Sequence, residues 1–366
     1  MSKKAKKITI ISLSALIVIL IGIISVIVII NSKNNFDYLN GDAQKVILFI
    51  GDGMGENHIK NTEIFLDKDV FFTSFDKSGE MTTLSKDKSE PTDSAASASA
   101  MATGQKFHND YVAYDSGKNI TSITEIAKAK GLGVGIITTD ELSGATPAGF
   151  SAHATHRDNT KDIINSQLQG NIDLLLGAGY DNYIEYQSDW ENKGYSFVST
   201  YEELVNTNHN GKIIGSFQRV YHTPEDDDLA LSNLTAFAID YFEKNYPNGY
   251  FLMIEGAHID KMSHQNNIYQ MINYLNDFDA SVKCAYDKLH NEPNVSIIVT
   301  ADHETGNLQL AESMENIDRE LYLETYHTKK NVRYFIYQKD NEDINKIPKK
   351  IDNTSIFYIC KALLNI

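Results

Sequence analysis

Uninterrupted runs of apolar residues, each about as long as one β-strand, recur along the chain after residue 44. Runs without polar alternation are typical of strands covered on both faces. Segments of helical length lie between them, which predicts an α/β fold with a mostly parallel central sheet and helices on both faces. The predicted strands are residues 45–50, 134–138, 172–176, 251–254, 295–300 and 332–337, and the predicted helices are residues 56–66, 94–103, 123–130, 229–245, 268–290 and 354–364.

We expect residues 42–366 to form one domain. Within it, residues 180–226 show no clear period, and we interpret them as an insertion over the sheet. The two cysteines, Cys284 and Cys360, fall at core positions of predicted helices and lack the CxxC spacing of a zinc or redox site. Any metal must therefore be bound by histidines and carboxylates.

An apolar segment without any charged side chain covers residues 8–30, and lysines are frequent in residues 1–7 before it. At about 1.5 Å per residue, such a helix spans the roughly 30 Å hydrocarbon core of a bilayer. The lysines predict a cytoplasmic N-terminus, and no small-residue cleavage site follows the segment. We predict an uncleaved, single-pass signal anchor in the cell membrane, a linker at residues 31–41 and an extracytoplasmic domain. A cleaved signal peptide is the alternative.

The composition excludes a disordered protein and argues against a nucleic-acid-binding one. With 366 residues, 42% of them hydrophobic, the chain is too long and too apolar for a disordered protein. Its 49 Asp and Glu against 33 Lys and Arg give a net charge of −16. An acidic surface repels a phosphate backbone, so nucleic acid is not an expected partner.

Acidic residues follow three predicted strands directly. Asp52 comes after residues 45–50 and is surrounded by glycines, Glu255 comes after residues 251–254, and Asp302 comes after residues 295–300. The carboxyl ends of parallel strands meet at one edge of a sheet, where ligands bind. We therefore expect these carboxylates to lie close together.

Histidines join the same predicted edge. His303 follows Asp302, His327 precedes the strand at 332–337, and Asp260 and His264 have the spacing of neighbours on one helix face. Four carboxylates in one pocket repel each other by several kcal/mol unless cations lie between them. Histidine and carboxylate sets suit zinc, whereas oxygen ligands alone suit magnesium.

A candidate nucleophile begins an Ala-rich segment. Asp93 precedes this segment and Gly104 ends it, which are the start and stop signals of a short helix. Ser94 would lie in the first turn, where free N–H groups favour an alkoxide or a phosphoryl group. A hydroxyl beside metal ions is an arrangement for phosphoryl transfer. Taken alone, the segment is more typical of a plain Ala- and Ser-rich helix with Ser94 as a cap.

In these residues the sequence resembles the alkaline phosphatase family. The resemblance implies an alkaline-phosphatase-like fold and a metal-dependent hydrolase that acts on small phosphate monoesters. The shared motifs, in the order of the family, are Asp52-Gly-Met-Gly, Asp93-Ser94-Ala-Ala-Ser-Ala, Ala145-Thr146-Pro-Ala, Arg157, Glu255-Gly-Ala-x-Ile-Asp260-Lys-x-x-His264, Thr300-Ala-Asp302-His303 and His327-Thr328.

The resemblance also implies residue roles and cofactors, namely two Zn²⁺ and one Mg²⁺. Ser94 would be the nucleophile that forms a phosphoserine, which water then hydrolyses, and Arg157 would bind two phosphate oxygens. The implied ligands are Asp260, His264 and His327 for one zinc, Asp52, Asp302 and His303 for the second zinc, and Asp52, Thr146 and Glu255 for the magnesium.

The sequence departs from the family pattern at a few positions. Gly144 stands where the family often has Asp or His, which leaves the identity of the third ion open. Lys261 is either an exposed helix lysine or a residue that reaches phosphate through water. We interpret His153 and His156 as structural residues, with a supporting position behind the site residues as the alternative. The intervals between motifs are short, which predicts a compact catalytic core and leaves open whether the chain forms a homodimer.

Other functions remain compatible with the motifs. A phosphomutase or phosphodiesterase of the same superfamily would share the metal ligands, although export argues against a mutase with cytosolic substrates. A sulfatase is disfavoured, because the segment at Ser94 lacks a Ser-x-Pro-x-Arg context. A surface module with purely structural metals is the non-enzyme alternative.

Overall fold

Ten strands form the central sheet of the part of the chain that the computed structural model describes, residues 36–39, 44–220, 228–292, 294–339 and 342–366. The strands are β1 (Lys45–Gly51), β2 (Lys77–Thr82), β3 (Gly133–Glu141), β4 (Leu174–Ala178), β5 (Tyr195–Val198), β6 (Lys212–Phe217), β7 (Tyr250–Gly256), β8 (Val295–Thr300), β9 (Val332–Gln338) and β10 (Lys350–Asp352). Their order in the sheet is β10-β2-β9-β8-β1-β7-β3-β4-β6-β5. Among these strands, β9 runs antiparallel to both neighbours and all other adjacent pairs are parallel, so the predicted sheet type is confirmed.

Helices connect the strands and pack in two groups. Helix α11 packs against α9, α10 and α1, whereas α2 packs against α4 and α12. The helices are α1 (Glu56–Leu66), α2 (Ser94–Thr103), α3 (Ile123–Ala129), α4 (Ala145–Ser151), α5 (Thr160–Gln169), α6 (Tyr180–Tyr183), α7 (Gln187–Asn192), α8 (Tyr201–Asn206), α9 (Leu231–Asn245), α10 (His258–His264), α11 (Ile268–Leu289) and α12 (Thr354–Leu363).

The two groups of helices cover opposite faces of the sheet. Phe49 in β1 makes an edge-to-face contact with Phe278 of α11 at 5.9 Å between ring centroids. Phe251 in β7 stacks on Phe150 of α4 at 6.2 Å, and its register partner in β1 is Val46. Because successive side chains alternate between faces, Val46 and Phe49 point in opposite directions. The sheet is therefore buried on both sides, as its uninterrupted apolar strands predict.

The interpretation of residues 180–226 as an insertion over the sheet is wrong. Within this region, β5 and β6 pair in parallel with each other, and β6 pairs with β4, so both strands extend the sheet to its edge. Tyr195 and Trp190 pack edge to face at 4.9 Å and anchor this part of the region. The segment forms an ordinary sheet edge because its short strands need only a few apolar residues each.

The predicted membrane segment at residues 8–30 and the basic residues 1–7 lie outside the described residues. The predicted linker, residues 31–41, is described only at residues 36–39, which include a 3₁₀ turn at Asp37–Leu39. In the described ranges, no helix combines the length and the apolar character needed to cross a membrane.

Candidate functional site

The carboxyl ends of β8, β1 and β7 bring acidic residues to one edge of the sheet. In register, Ile50 of β1 lies beside Thr300 of β8 and Glu255 of β7. Glu255 lies in this row and Asp52 and Asp302 follow it by two residues, so all three carboxylates lie at the same edge of the sheet. Asp52, Glu255 and Asp302 are buried, and the expected gathering of acidic side chains is present.

Asp52, Asp302 and His303 form the first cluster, in which the potential ligand atoms lie within 4.8 Å of one another. The Nε2 atom of His303 lies 3.4 Å from Asp52 Oδ1 and 3.3 Å from Asp302 Oδ2. The N–H groups of Gly53 and His303 donate to Asp302 Oδ1 at 3.0 and 2.9 Å and fix this carboxylate. Within the described part of the chain, Asp52 Oδ1 and Asp302 Oδ2 are buried without a hydrogen-bond partner. These two oxygens are suited to a cation.

Asp260, His264 and His327 form the second cluster. His264 Nδ1 donates to the carbonyl of Thr325 at 2.5 Å, and His327 Nδ1 donates to the carbonyl of Thr92 at 2.9 Å. With these protons on Nδ1, each Nε2 presents a lone pair, and the two Nε2 atoms are only 3.1 Å apart. Asp260 Oδ2 lies 3.1 Å from His264 Nε2. Such convergent lone pairs are the arrangement of a zinc site.

Ser94 is the first residue of α2 and lies beside these clusters. Its hydroxyl is 3.2 Å from His303 Nε2 and 3.5 Å from Asp52 Oδ2. Asp93 caps the helix by accepting a hydrogen bond from the N–H of Ala96 at 2.9 Å, and Gly104 ends it with φ +73°. The predicted helix and the position of Ser94 in its first turn are confirmed. The hydroxyl therefore lies against the first cluster and at the positive end of a helix dipole.

Arg157 lies at the wall of the cleft that leads to Ser94. Its guanidinium donates to Asp93 Oδ2 at 3.0 Å, so the residue that caps α2 also positions the arginine. Burial opposes the charge of Arg157, but the carboxylates of Asp93, Asp52 and Asp110 together outweigh it and raise the pKa of the guanidinium. The cleft has a volume of about 510 Å³, and Ser94, Arg157, Asp260, His264 and His327 are among its lining residues.

Glu255 is the centre of a third group of side chains, whose oxygen atoms are potential metal ligands. The Thr138 hydroxyl donates to Glu255 Oε2, and the Thr146 hydroxyl faces the same carboxylate. Thr146 is 1% exposed, and its Oγ makes no hydrogen bond of normal geometry among the described residues. No sequence motif singled out Thr138 or Asp140, the ion-pair partner of Lys261. Their position at the carboxyl end of β3 was a signal that could have identified them.

The acid–base properties of these residues fit sites for cations. Burial and the charge of Asp140 raise the pKa of Glu255 to about 8, and burial with the charge of Asp260 raises the pKa of Asp302 to about 7. Burial and Asp302 also raise the pKa of Asp52. Cations between these carboxylates would remove the repulsion and keep them ionised. The mixed histidine and carboxylate clusters fit zinc, and the oxygen donors near Glu255 fit magnesium.

The histidines next to Arg157 lie away from both clusters. His153 Nδ1 donates to the carbonyl of Ala113 at 2.9 Å, and its Nε2 lies 3.2 Å from Glu125 Oε1. His156 is half exposed near Asp110 and Asp158. Their contacts are those of structural residues, as expected from the sequence.

We expect Gly53→Ala to damage the second cluster. Gly53 has φ +70°, and an added Cβ would lie 2.8 Å from both Asp260 Oδ1 and Thr305 Oγ. Backbone strain should lower the free energy of unfolding by about 1–2 kcal/mol, and displacement of Asp260 should reduce zinc content. Gly117→Ala is the control, because Gly117 has φ +81° with open space around it. Equal zinc content in the two variants would contradict this account.

A family model described as Alkaline phosphatase matches residues 43–356. Alkaline phosphatase 3 of Bacillus subtilis (strain 168) is 32% identical over 289 residues, which cover 72% of this chain and 62% of that relative. The chain thus spans less than two thirds of the length of that relative.

Solved structures of alkaline phosphatases are also similar to this chain. The alkaline phosphatase from the Antarctic bacterium TAB5 has a TM-score of 0.78 at 26% identity, with 88% of this chain and 98% of that chain covered. A variant of the TAB5 enzyme with Mg bound in its M3 site has a TM-score of 0.77 at 26% identity, with the same coverage of both chains.

Proposed function

The chain belongs to the alkaline phosphatase family, and we propose that it hydrolyses phosphate monoesters to an alcohol and inorganic phosphate through a phosphoserine on Ser94. The observation that carries this proposal is the position of the Ser94 hydroxyl, 3.2 Å from His303 Nε2 and beside two clusters of metal-ligand type. A hydroxyl at a helix N-terminus beside such clusters is suited to attack a phosphoryl group.

The proposed cofactors are two Zn²⁺ and one Mg²⁺. Bound there, the cations would lower the pKa of the attacking hydroxyl and neutralise charge on the phosphoryl oxygens. The oxygen donors around Glu255 support a magnesium site, as does the M3 magnesium of the TAB5 variant. The proposed ligands are Asp260, His264 and His327 for one zinc, Asp52, Asp302 and His303 for the other, and Asp52, Thr146 and Glu255 for the magnesium.

The residues of the chain would act in two displacements. In the first, Ser94 Oγ forms a bond to phosphorus, the bond from phosphorus to the ester oxygen breaks, and the alcohol leaves. In the second, water attacks phosphorus, the bond to Ser94 Oγ breaks, and phosphate leaves. Arg157, held by Asp93, would bind two phosphoryl oxygens through both steps, and the N–H groups of α2 would favour the negative charge.

The test is phosphate release from a chromogenic phosphomonoester by the purified full-length chain, with Zn²⁺ and Mg²⁺ or with a chelator. Release that depends on metal would support the proposal. Metal-loaded protein that releases no phosphate from the monoester, but cleaves a diester or transfers phosphate within a sugar phosphate, would instead support the phosphodiesterase or phosphomutase hypothesis.

Arg157→Ala is expected to weaken phosphate binding. Loss of charge-assisted hydrogen bonds to phosphate should cost roughly 1.5–3 kcal/mol, which raises the inhibition constant of inorganic phosphate by about 10- to 150-fold. Competitive inhibition of ester hydrolysis measures this constant. Arg319→Ala, at an exposed position outside the cleft, is the control and should leave it unchanged. An unaltered inhibition constant in Arg157→Ala would contradict the assigned role.

We also propose that a helix at residues 8–30 holds the chain in the cell membrane with residues 42–366 outside the cytoplasm. The support is the uncharged apolar segment and the lysines that precede it. Externally added protease should digest the catalytic domain on intact spheroplasts, whereas a cytoplasmic marker protein should survive. Protection of the domain until the cells are lysed would contradict the proposed topology.

A further inference from the structure

Asp140 is a charged residue at the edge of the site to which the proposed reaction assigns no role. It lies near the carboxyl end of β3, and its side chain is 23% exposed. One carboxylate oxygen, Oδ1, forms an ion pair with Lys261. The other, Oδ2, lies next to the backbone of Gly144. The carboxylate thus stands between α4 and α10, the helices that carry Thr146 and Asp260.

Gly144 is a glycine for reasons of space. Its φ of −57° and ψ of 159° are accessible to any residue, so backbone conformation does not require glycine here. A Cβ at this position would lie 2.7 Å from Asp140 Oδ2 and 2.9 Å from the carbonyl oxygen of Glu141. The carboxylate of Asp140 therefore occupies the space that a side chain at position 144 would need.

Asp140 is connected to Glu255 through Thr138. The Thr138 hydroxyl accepts a hydrogen bond from the N–H of Asp140 at 2.8 Å and donates to Glu255 Oε2. Among charged neighbours, Asp140 acts most strongly on Glu255. The buried Thr146 hydroxyl faces Glu255 and has no hydrogen-bond partner of normal geometry in the described residues. This unpartnered oxygen is an independent sign of a ligand between these groups.

The single positive charge of Lys261 does not balance the carboxylates around it. The Lys261 ammonium faces the carboxylates of Asp140, Glu255 and Asp52. One monovalent charge leaves three carboxylates under-compensated, whereas a divalent cation would balance them.

We propose that Asp140 is a further oxygen donor of the cation site formed by Asp52, Thr146 and Glu255, and that residue 144 is glycine so that the Asp140 carboxylate can lie there. This inference rests on the proposed function, because it extends the third metal site of that proposal. Lys261 then holds Oδ1 of the Asp140 carboxylate, and Oδ2, beside Gly144, would be the oxygen that binds the cation.

The experiment is a titration of the full-length, zinc-loaded protein with Mg²⁺, with bound magnesium and zinc measured after equilibrium dialysis. Asp140→Asn should weaken Mg²⁺ binding by about 10- to 100-fold and leave zinc content unchanged. Glu141→Gln is the matched control, because it removes the adjacent, exposed carboxylate and reports the effect of net charge alone. It should bind Mg²⁺ like the wild-type protein.

A second variant tests whether weaker Mg²⁺ binding in Asp140→Asn arises from loss of a ligand or from movement of Lys261. In Asp140→Asn, the Lys261 ammonium could move toward Glu255 and repel the ion. Asp140→Asn/Lys261→Gln removes both charges and leaves two amides in contact, so weak Mg²⁺ binding in this variant also supports the inference. Mg²⁺ binding restored to the wild-type level would overturn the inference, as would undiminished Mg²⁺ binding in a folded Asp140→Asn.

A wild-type protein that hydrolyses phosphomonoesters and binds zinc but no magnesium would overturn the inference alone. One that binds no metal and releases no phosphate would overturn the proposed function as well.

Discussion

Ser94→Ala should reduce phosphate release by about 10³-fold or more, because the residue supplies the atom that accepts the phosphoryl group. The Ser94 hydroxyl lies 3.2 Å from His303 Nε2 and 3.5 Å from Asp52 Oδ2, whereas alanine offers no oxygen at this position. Covalent labelling should disappear at the same time. The measurement is kcat with a chromogenic monoester, together with mass spectrometry of acid-quenched enzyme for a phosphorylated peptide.

The control must separate loss of the nucleophile from damage to α2. Ser99 lies on the same helix, is buried, and bonds to the backbone of Tyr111 and Ala113 rather than to the metal-ligand clusters. Ser99→Ala should therefore retain kcat within a few-fold of wild type and keep the phosphopeptide. Zinc content should be equal in both variants. A phosphopeptide that persists in Ser94→Ala, or that maps to another residue, would refute the assignment.

The sequence predicted those parts of the site that follow buried strands. Asp52, Glu255 and Asp302 come directly after continuous apolar runs, and parallel pairing then brings their positions together at one edge. The helix at Ser94 was also predictable, because its cap and its terminal glycine are local signals. These features depend on short-range sequence and on one general rule of sheet topology.

Other features depend on contacts that no local pattern encodes. The strand β2 alternates buried and more exposed positions and includes Lys77 and Glu80, so it lacks a continuous apolar run. The strands β5 and β10 are too short to show a period. β10 pairs with β2, which is distant in sequence, and β5 pairs with β6, the next strand along the chain. The sheet edges could not be predicted from these segments alone.

The carboxyl end of β3 marked Asp140 as a candidate, but the sequence did not show which residues it contacts. Its contacts join β3 to Lys261 of α10, about 120 residues away along the chain. The sequence shows a glycine at position 144, but it does not show that Asp140 Oδ2 occupies the space that a side chain there would need. Only the fold brings Asp140, Gly144 and Lys261 together.

Removal of metal should abolish activity and should also make stability fall as pH rises above neutrality. In the metal-free protein, Glu255 and Asp302 have pKa values of about 8 and about 7, above their ordinary values of 4.5 and 3.8. The folded state then holds protons that the unfolded chain has already released. Stability from these groups is complete below the ordinary values and is lost as pH rises toward the raised values.

The expected size of this effect follows from the number of groups involved. Between about pH 7 and about pH 8 the free energy of unfolding should fall by roughly 1–2 kcal/mol in chelator, because one fully linked proton changes it by about 1.4 kcal/mol per pH unit. Burial lowers the pKa of His303 and of His58, so both are neutral in the folded state throughout this range. With Zn²⁺ and Mg²⁺ bound, the carboxylates should already be ionised, and this loss should disappear.

Chemical denaturation of the full-length protein at both pH values, with metals or with chelator, measures the effect. Glu255→Gln should reduce the pH dependence in chelator, since the amide carries no titrating proton. Glu141→Gln should retain that dependence, because Glu141 is exposed and lies outside the clusters. Metal-free protein whose stability stays constant or rises over this interval would contradict the raised pKa values. Unchanged activity in chelator, with metal shown to be absent, would contradict the role of the metals themselves.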